Sequence, residues 1–352
     1  MRAPKSFERT KNTVDWGRRN GVYPGAAVSV GDGGGELFRD FCGYRTFVPQ
    51  PEKVSETTLF DVASLTKIMS TTMVALKFIE SDKLRLSQRL GDFFDAPADK
   101  QNVDIWHLMT HTSGLPAHVK LWGLGAPADA VRHILGLSPL YAPGSGVTYS
   151  CLGFILLAKI CEQVGGANLD VLARNMVFGP LGMINTGYGP IADENVAATE
   201  YDFEEGRYTI GRVHDENARY LGGVSGNAGL FSPIGDCAIF AQMLANKGIH
   251  NGKEFINRDL FNDSIRNHTP GLDEGRGLGF VVKCGLPSSA GEIFPDGSYG
   301  HTGFTGTSIF VNAETAQYLA LLTNRVHPTR ENEGMVGHRK RVHDASAEDY
   351  NA

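Results

Sequence analysis

The chain has 352 residues, 41% of them apolar and 20% charged, with a formal net charge of −6 at pH 7. That length suits one large domain or two interleaved lobes around a substantial core, and the mild acidity gives no electrostatic reason to expect nucleic acid or an anionic membrane as partner. No apolar run reaches the roughly 18 residues that a bilayer-spanning helix needs.

The first twenty residues, MRAPKSFERTKNTVDWGRRN, lack the apolar stretch of a signal peptide. The chain as given therefore reads as cytoplasmic, although a trimmed exported form would look the same. Within 6–20, charge and bulk alternate as on a surface helix. GAAVSVGDGGGELFRDFCGYR then predicts two strands around a glycine-rich turn. The turn is not a nucleotide loop, because it lacks GxGxxG spacing and a strand follows it. Helical patterns dominate from about residue 64 to 260, at 64–80, 127–135, 153–165, 168–176 and 233–247. In SPIGDCAIFAQMLANKG the expected cap is Ser232, with Pro233 first in the helix and Gly248 ending it. Strand patterns return from 277 in LGFVVKC, SYGHTG, GTSIFVNAE and AQYLALLTN, and the charged tail 331–352 reads as a last helix or a frayed end. Cysteines 42, 151, 161, 237 and 284 show no CxxC spacing, which favours reduced thiols over disulfides or a zinc site.

Strands at both ends and helices between them predict an α+β fold. One antiparallel sheet, from about residues 1–60 and 265–352, would carry flanking terminal helices and an inserted all-α lobe at about 61–264. The cleft between such lobes is a natural site for a small-molecule substrate.

Three segments hold candidate chemistry. In DVASLTKIMS, Ser64 and Lys67 stand three apart, so both share one face if a helix starts there. A serine hydroxyl is a weak nucleophile until a base takes its proton. Lysine can be that base if its pKa falls from about 10.4 to about 7, at roughly 4 kcal/mol. Serine and lysine are common, so this pair alone is unspecific. In APGSGVTYSCLGFILLAKI, Tyr149 stands at a helix entrance, where it is either amphipathic packing or a proton carrier near Lys67. In YGHTGFTGTSIF, His301-Thr302-Gly303 enters a strand between glycines, where a substrate backbone can approach closely. The N–H of Phe304 together with that of Ser64 could form an oxyanion hole; the plainer reading is a glycine-rich hairpin.

SLTK, YSC and HTG, in this order and rough spacing, resemble the three active-site elements of serine β-lactamases and penicillin-binding proteins. The class C branch, with its esterase and DD-peptidase relatives, is most similar. LMTHTSGLP (108–116), NAGLFSPIGDCAIFAQMLANKG (227–248) and LLTNRVHPTR (321–330) extend the resemblance over about residues 10–330. It implies a β-lactamase/transpeptidase-like fold with Ser64 as acylated nucleophile, Lys67 as its proton partner and Tyr149 as general base. It further implies that His301, Thr302 and Gly303 line the substrate-binding strand, that the N–H groups of Ser64 and Phe304 hold the oxyanion, and that no metal or cofactor takes part.

Two positions depart from that pattern. The second element normally reads Tyr-x-Asn, and Cys151 replaces the asparagine. A thiol is a weak donor and acceptor, so recognition of a substrate amide is weakened there; the thiol itself reads as inert rather than reactive. The third element often begins with lysine. Here it is His301, mostly neutral near pH 7, which weakens the fixed charge for a substrate carboxylate. Of the remaining polar clusters, His214, Asp215 and Glu216 are adjacent and cannot all face one metal ion; the resemblance implies instead that 213–231 is a loop bordering the cleft. His111 reads as structural, and Asn324 or Arg325 as a possible partner for a carboxylate. No GxSxG elbow occurs, which disfavours a Ser-His-Asp hydrolase.

The expected activity is that of a serine hydrolase forming an acyl-enzyme on a small ester, amide or β-lactam, as in esterases, β-lactamases and DD-peptidases. The alternatives are a muramyl-peptide amidase of wall-fragment recycling, and a penicillin-binding sensor that is acylated once without turnover.

Overall fold

A computed structural model describes residues 5–192, 195–203 and 205–352. Helix α1 (Glu8–Arg19) leads into strands β1 (Gly25–Asp32), β2 (Gly35–Thr46), β3 (Glu52–Lys53) and β4 (Phe60–Asp61). A π-helical segment, Lys67–Thr72, continues into α2 (Met73–Glu80), and α3 spans Cys151–Gly165. After β5 (Gly187–Tyr188) and β6 (Leu230–Ser232) come α4 (Ile234–Ala245), β7 (Val281–Val282), β8 (Tyr299–Thr302), β9 (Ser308–Val311), β10 (Tyr318–Thr323) and α5 (Met335–Asn351).

Seven strands form one antiparallel sheet in the order β7-β8-β9-β10-β1-β2-β3, so both ends of the sequence meet at its centre. The β1–β10 register sets Ala26 opposite Thr323 and Gly31 opposite Tyr318. Side chains alternate between faces with period two. Ala26, Val28, Val30, Leu319 and Leu321 pack with Phe7, Val14 and Tyr23 and with Met335, Val342 and Tyr350 of α5. Ala27, Ala320 and Leu322 turn to the larger core, which they share with α2, α3 and α4. Coverage on both faces explains why these strands read as apolar runs instead of alternating ones. The α+β expectation, with one antiparallel sheet beside a mass of helices, is met.

Helix α3 is the centre of the helical region: Leu152, Phe154, Ile155, Leu156, Leu157 and Ile160 are all buried. Ser150 caps its start by accepting the Gly153 N–H at 3.3 Å. Helix α4 lies in the middle of the chain but packs on β1, β9 and β10, where Tyr299 donates its hydroxyl to the Leu244 carbonyl at 2.8 Å.

Three local expectations shift. Pro233, not Ser232, caps α4, because Ser232 is already paired with Phe60 between β6 and β4. The helix ends at Ala245 with Asn246 as cap, and Gly248, at φ +85°, turns the chain just beyond it. LGFVVKC contributes only Val281–Val282 to the sheet. The charged tail resolves as the 17-residue helix α5.

Candidate active site

Ser64 sits on a tight turn between β4 and the helix that follows. The residue before it, Ala63, is held at φ +48° in the left-handed region. One turn later comes Lys67, which is fully buried. Its Nζ donates to Ser64 Oγ at 3.1 Å, to the Asn227 carbonyl at 3.0 Å and to Cys151 Sγ at 3.5 Å. An ammonium has three protons, so these partners use all of them. Tyr149, just before the Ser150 cap, sets its ring beside this lysine, with the ring centroid 4.8 Å from Lys67 Nζ. His111 backs this tyrosine, with ring centroids 4.8 Å apart, and its Nδ1 accepts the Ser150 N–H at 3.0 Å. That is the structural role expected for it.

The electrostatics correct one expectation. Burial opposes the Lys67 ammonium, but the anionic forms of Cys151 and Tyr149 outweigh it, and the lysine pKa is raised instead of lowered. Burial also raises the Tyr149 pKa against the pull of Lys67. Both directions favour keeping a proton on the pair, and the charge state belongs to the two groups together. The sequence reading required a lysine shifted towards neutrality; the resting structure instead stores the proton on it.

Strand β8 brings His301, Thr302 and Gly303 to the same place. The His301 ring lies 5.7 Å from that of Tyr149, and its Nδ1–H donates to the Thr302 carbonyl at 2.7 Å. Burial, Lys67 and Arg276 push its pKa well below the usual value, so the ring is neutral, as expected from the sequence. Gly303 is required by contact: a Cβ there would meet Thr307 Oγ1 at 2.0 Å and the Val62 carbonyl at 2.5 Å. Immediately after it, the Phe304 N–H has no hydrogen-bond partner among the described residues, and neither has that of Ser64.

Two cavities meet at this centre and share Tyr149 and Thr302 as lining residues. One, of about 310 Å³, continues past His301 to Arg276 and the segment 282–289. The other, of about 760 Å³, contains Ser64, Gly303 and Phe304 and is walled by Arg325, Arg330 and Arg339. Arg276 is 2% exposed, with its guanidinium 5.2 Å from the Tyr149 ring centroid. One nitrogen of it pairs with Glu274, while Nε and Nη1 have no partner among the described residues.

All eight sequence-predicted site residues thus converge, with one difference in aim. Cys151 faces Lys67 and is not among the residues lining either cavity. Asn324 is structural: it is buried, accepts the Gly25 N–H and donates to the Tyr44 and Arg45 carbonyls. Arg325 lies over the Phe304 ring at 4.3 Å and does reach the Ser64 cavity. The 213–231 loop borders the site through His214, stacked on Phe304 at 5.7 Å, and through Asn227. Sequence reasoning missed Arg276 and Arg339. Neither stands at a recognisable spacing from Ser64, and in DEGRGLGF the arginine reads as one more loop charge.

Residues 10–342 match the protein family described as Beta-lactamase. A protein of Escherichia coli (strain K12), provisionally named D-alanyl-D-alanine carboxypeptidase, is 31% identical over 316 residues, covering 79% of this chain and 71% of that protein. The N-acetylmuramyl-L-alanine amidase of Bacillus subtilis (strain 168) is 30% identical over 347 residues, covering 87% and 78%. Among solved structures, EstCE1, a hydrolase with promiscuous acyltransferase activity, superposes with a TM-score of 0.76 at 22% identity, covering 97% of this chain and 98% of that one.

Proposed function

The chain belongs to the beta-lactamase family and is a serine hydrolase; within that class we propose that Ser64 is acylated by a short peptide-like substrate bearing a carboxylate, in the manner of a carboxypeptidase. The observation that carries this reading is Arg276. It is a buried cation with two nitrogens that have no partner among the described residues, on a cavity shared with Tyr149, His301 and Thr302. A buried, incompletely paired guanidinium is costly, and a carboxylate oxygen is an acceptor of the charge and hydrogen-bonding type that its free nitrogens call for. With His301 neutral, Arg276 supplies the charge that the third sequence element lacks.

The reactive form is the one in which the Lys67–Tyr149 pair has lost a proton. Ser64 Oγ then attacks the substrate carbonyl while its proton passes to the pair. The N–H groups of Ser64 and Phe304 receive the carbonyl oxygen as it gains charge. Collapse breaks the amide bond, and the pair returns the proton to the departing amine. Water, deprotonated by the same pair, frees the acid and restores Ser64.

A panel tests both layers. Ser64→Ala abolishes the fluorophosphonate adduct seen by intact-mass spectrometry; an unchanged adduct refutes the nucleophile. A peptide ending in D-Ala-D-Ala is cleaved at least tenfold faster than its C-terminal amide, and Arg276→Gln erases that preference. Equal rates on acid and amide overturn the carboxylate reading. Faster release of the intact peptide from the muramic acid of a muramyl peptide would favour the amidase reading that the Bacillus relative supports.

A further inference from the structure

Asp61 precedes Ser64 by three residues, and its side chain and backbone bond the Ser64 turn, the His214 segment and the turn that carries Phe304. It is 2% exposed. Its Oδ1 accepts the Ala63 N–H at 2.8 Å and its Oδ2 accepts the His214 N–H at 2.6 Å. Its own backbone carbonyl accepts the Thr305 hydroxyl at 2.7 Å, and the next carbonyl, of Val62, accepts the Thr307 hydroxyl at 2.9 Å.

We propose that Asp61 is a positioning residue that locks the Ser64 turn, the β8–β9 turn carrying Phe304 and the His214 segment into one register, so that the two oxyanion-binding N–H groups converge. This rests on the reading of Ser64 as nucleophile. The two donors come from turns far apart in sequence, and neither turn fixes the other by chain connectivity. The bond to Oδ1 spans the left-handed Ala63, the position where the Ser64 turn is strained. The bond to Oδ2 ties down His214, whose ring stacks on Phe304. The two threonine hydroxyls stitch the opposite turn to the backbone of residues 61 and 62. Gly303 completes the seam by admitting the Val62 carbonyl, which any side chain would displace. Among the described residues no lysine or arginine pairs with the Asp61 carboxylate, so its backbone partners alone hold it in place. Oxyanion donors act through placement: a shift of about 1 Å costs on the order of a hundredfold in rate.

The experiment compares wild type, Asp61→Asn, Thr305→Val and Ser64→Ala on a p-nitrophenyl ester and on the matching thionoester, whose sulfur fits an oxyanion hole poorly. In Asp61→Asn the new amide nitrogen cannot accept an N–H, so one clamp bond is lost. Thr305→Val removes the hydroxyl from the other side without changing size. The expected result for both is a kcat loss of about 10- to 100-fold with KM within about threefold, and a smaller ester-over-thionoester preference. A merely structural loss would lower the active fraction on both substrates and leave that preference unchanged. Unchanged kcat and preference in both variants overturn the clamp. If Asp61→Asn does not fold, Thr305→Val reads the same seam alone. Full activity of Ser64→Ala would instead overturn the nucleophile reading, a separate outcome.

Discussion

Lys67 and Cys151 face each other at 3.5 Å, Nζ to Sγ, on two different helical segments. The thiol faces the lysine and lines neither of the two cavities at the centre. Cys151→Asn restores an amide that can accept from Lys67 and donate to a substrate carbonyl. Nitrocefin turnover is expected to rise several-fold, with p-nitrophenyl ester turnover within about threefold of wild type. An unchanged nitrocefin rate would show that the missing amide does not limit β-lactam hydrolysis.

The raised pKa values of Lys67 and Tyr149 set the direction of the pH dependence. A raised pKa means that the proton stays on at neutral pH, so the fraction able to accept the Ser64 proton grows as pH increases. The acylation rate is expected to keep climbing above pH 8, with the apparent pKa belonging to the coupled pair. Stopped-flow ester acylation between pH 6 and 9.5 measures this. A plateau reached by pH 7 would mean that the lysine is deprotonated at rest.

Gly303→Ala places a methyl group against Thr307 Oγ1 and the Val62 carbonyl. The seam between the two turns must open to admit it. The expected result is a loss of kcat on the order of a hundredfold with a small change in melting temperature. Wild-type kcat in the folded variant would show that the turn tolerates the displacement.

Among the described residues, burial lowers the pKa of five histidines: His111 and His301 well below the usual value, His327 below it, His338 to about 4 and His343 to about 3. Unfolded, each titrates near pH 6.5. As pH falls through that value the unfolded chain binds protons that the folded chain refuses, so stability is lost progressively towards the folded pKa values. The melting temperature is expected to drop steadily from pH 6.5 to 4, and His343→Gln to flatten that slope. An unchanged slope in the variant would show that His343 titrates alike in both states.

Much of the site was legible because its chemistry is local in sequence. Ser64 and Lys67 share one turn, Tyr149 immediately precedes a helix cap, and His301 to Phe304 are consecutive. The sheet was legible for a similar reason, since β1 and β8 to β10 carry long apolar runs bounded by glycines. Boundaries failed where a residue had two employers, as when Ser232 joined β6 instead of capping α4. Arg276 and Arg339 were invisible because a buried arginine and an exposed one look identical in a chain. Only packing distinguishes them.

The order of apolar and polar residues by itself determined the α+β class, most of the helices and the central strands, while Ser64, Lys67 and Tyr149 stood out as candidates through their resemblance to a family's motifs. The tertiary structure alone decided where the protons and charges rest. Neighbouring groups raised the lysine pKa against the pull of burial, while packing turned Cys151 towards Lys67 and set Arg276 beside Tyr149. Solvation and distance are properties of a folded arrangement, and no spacing along the chain encodes them.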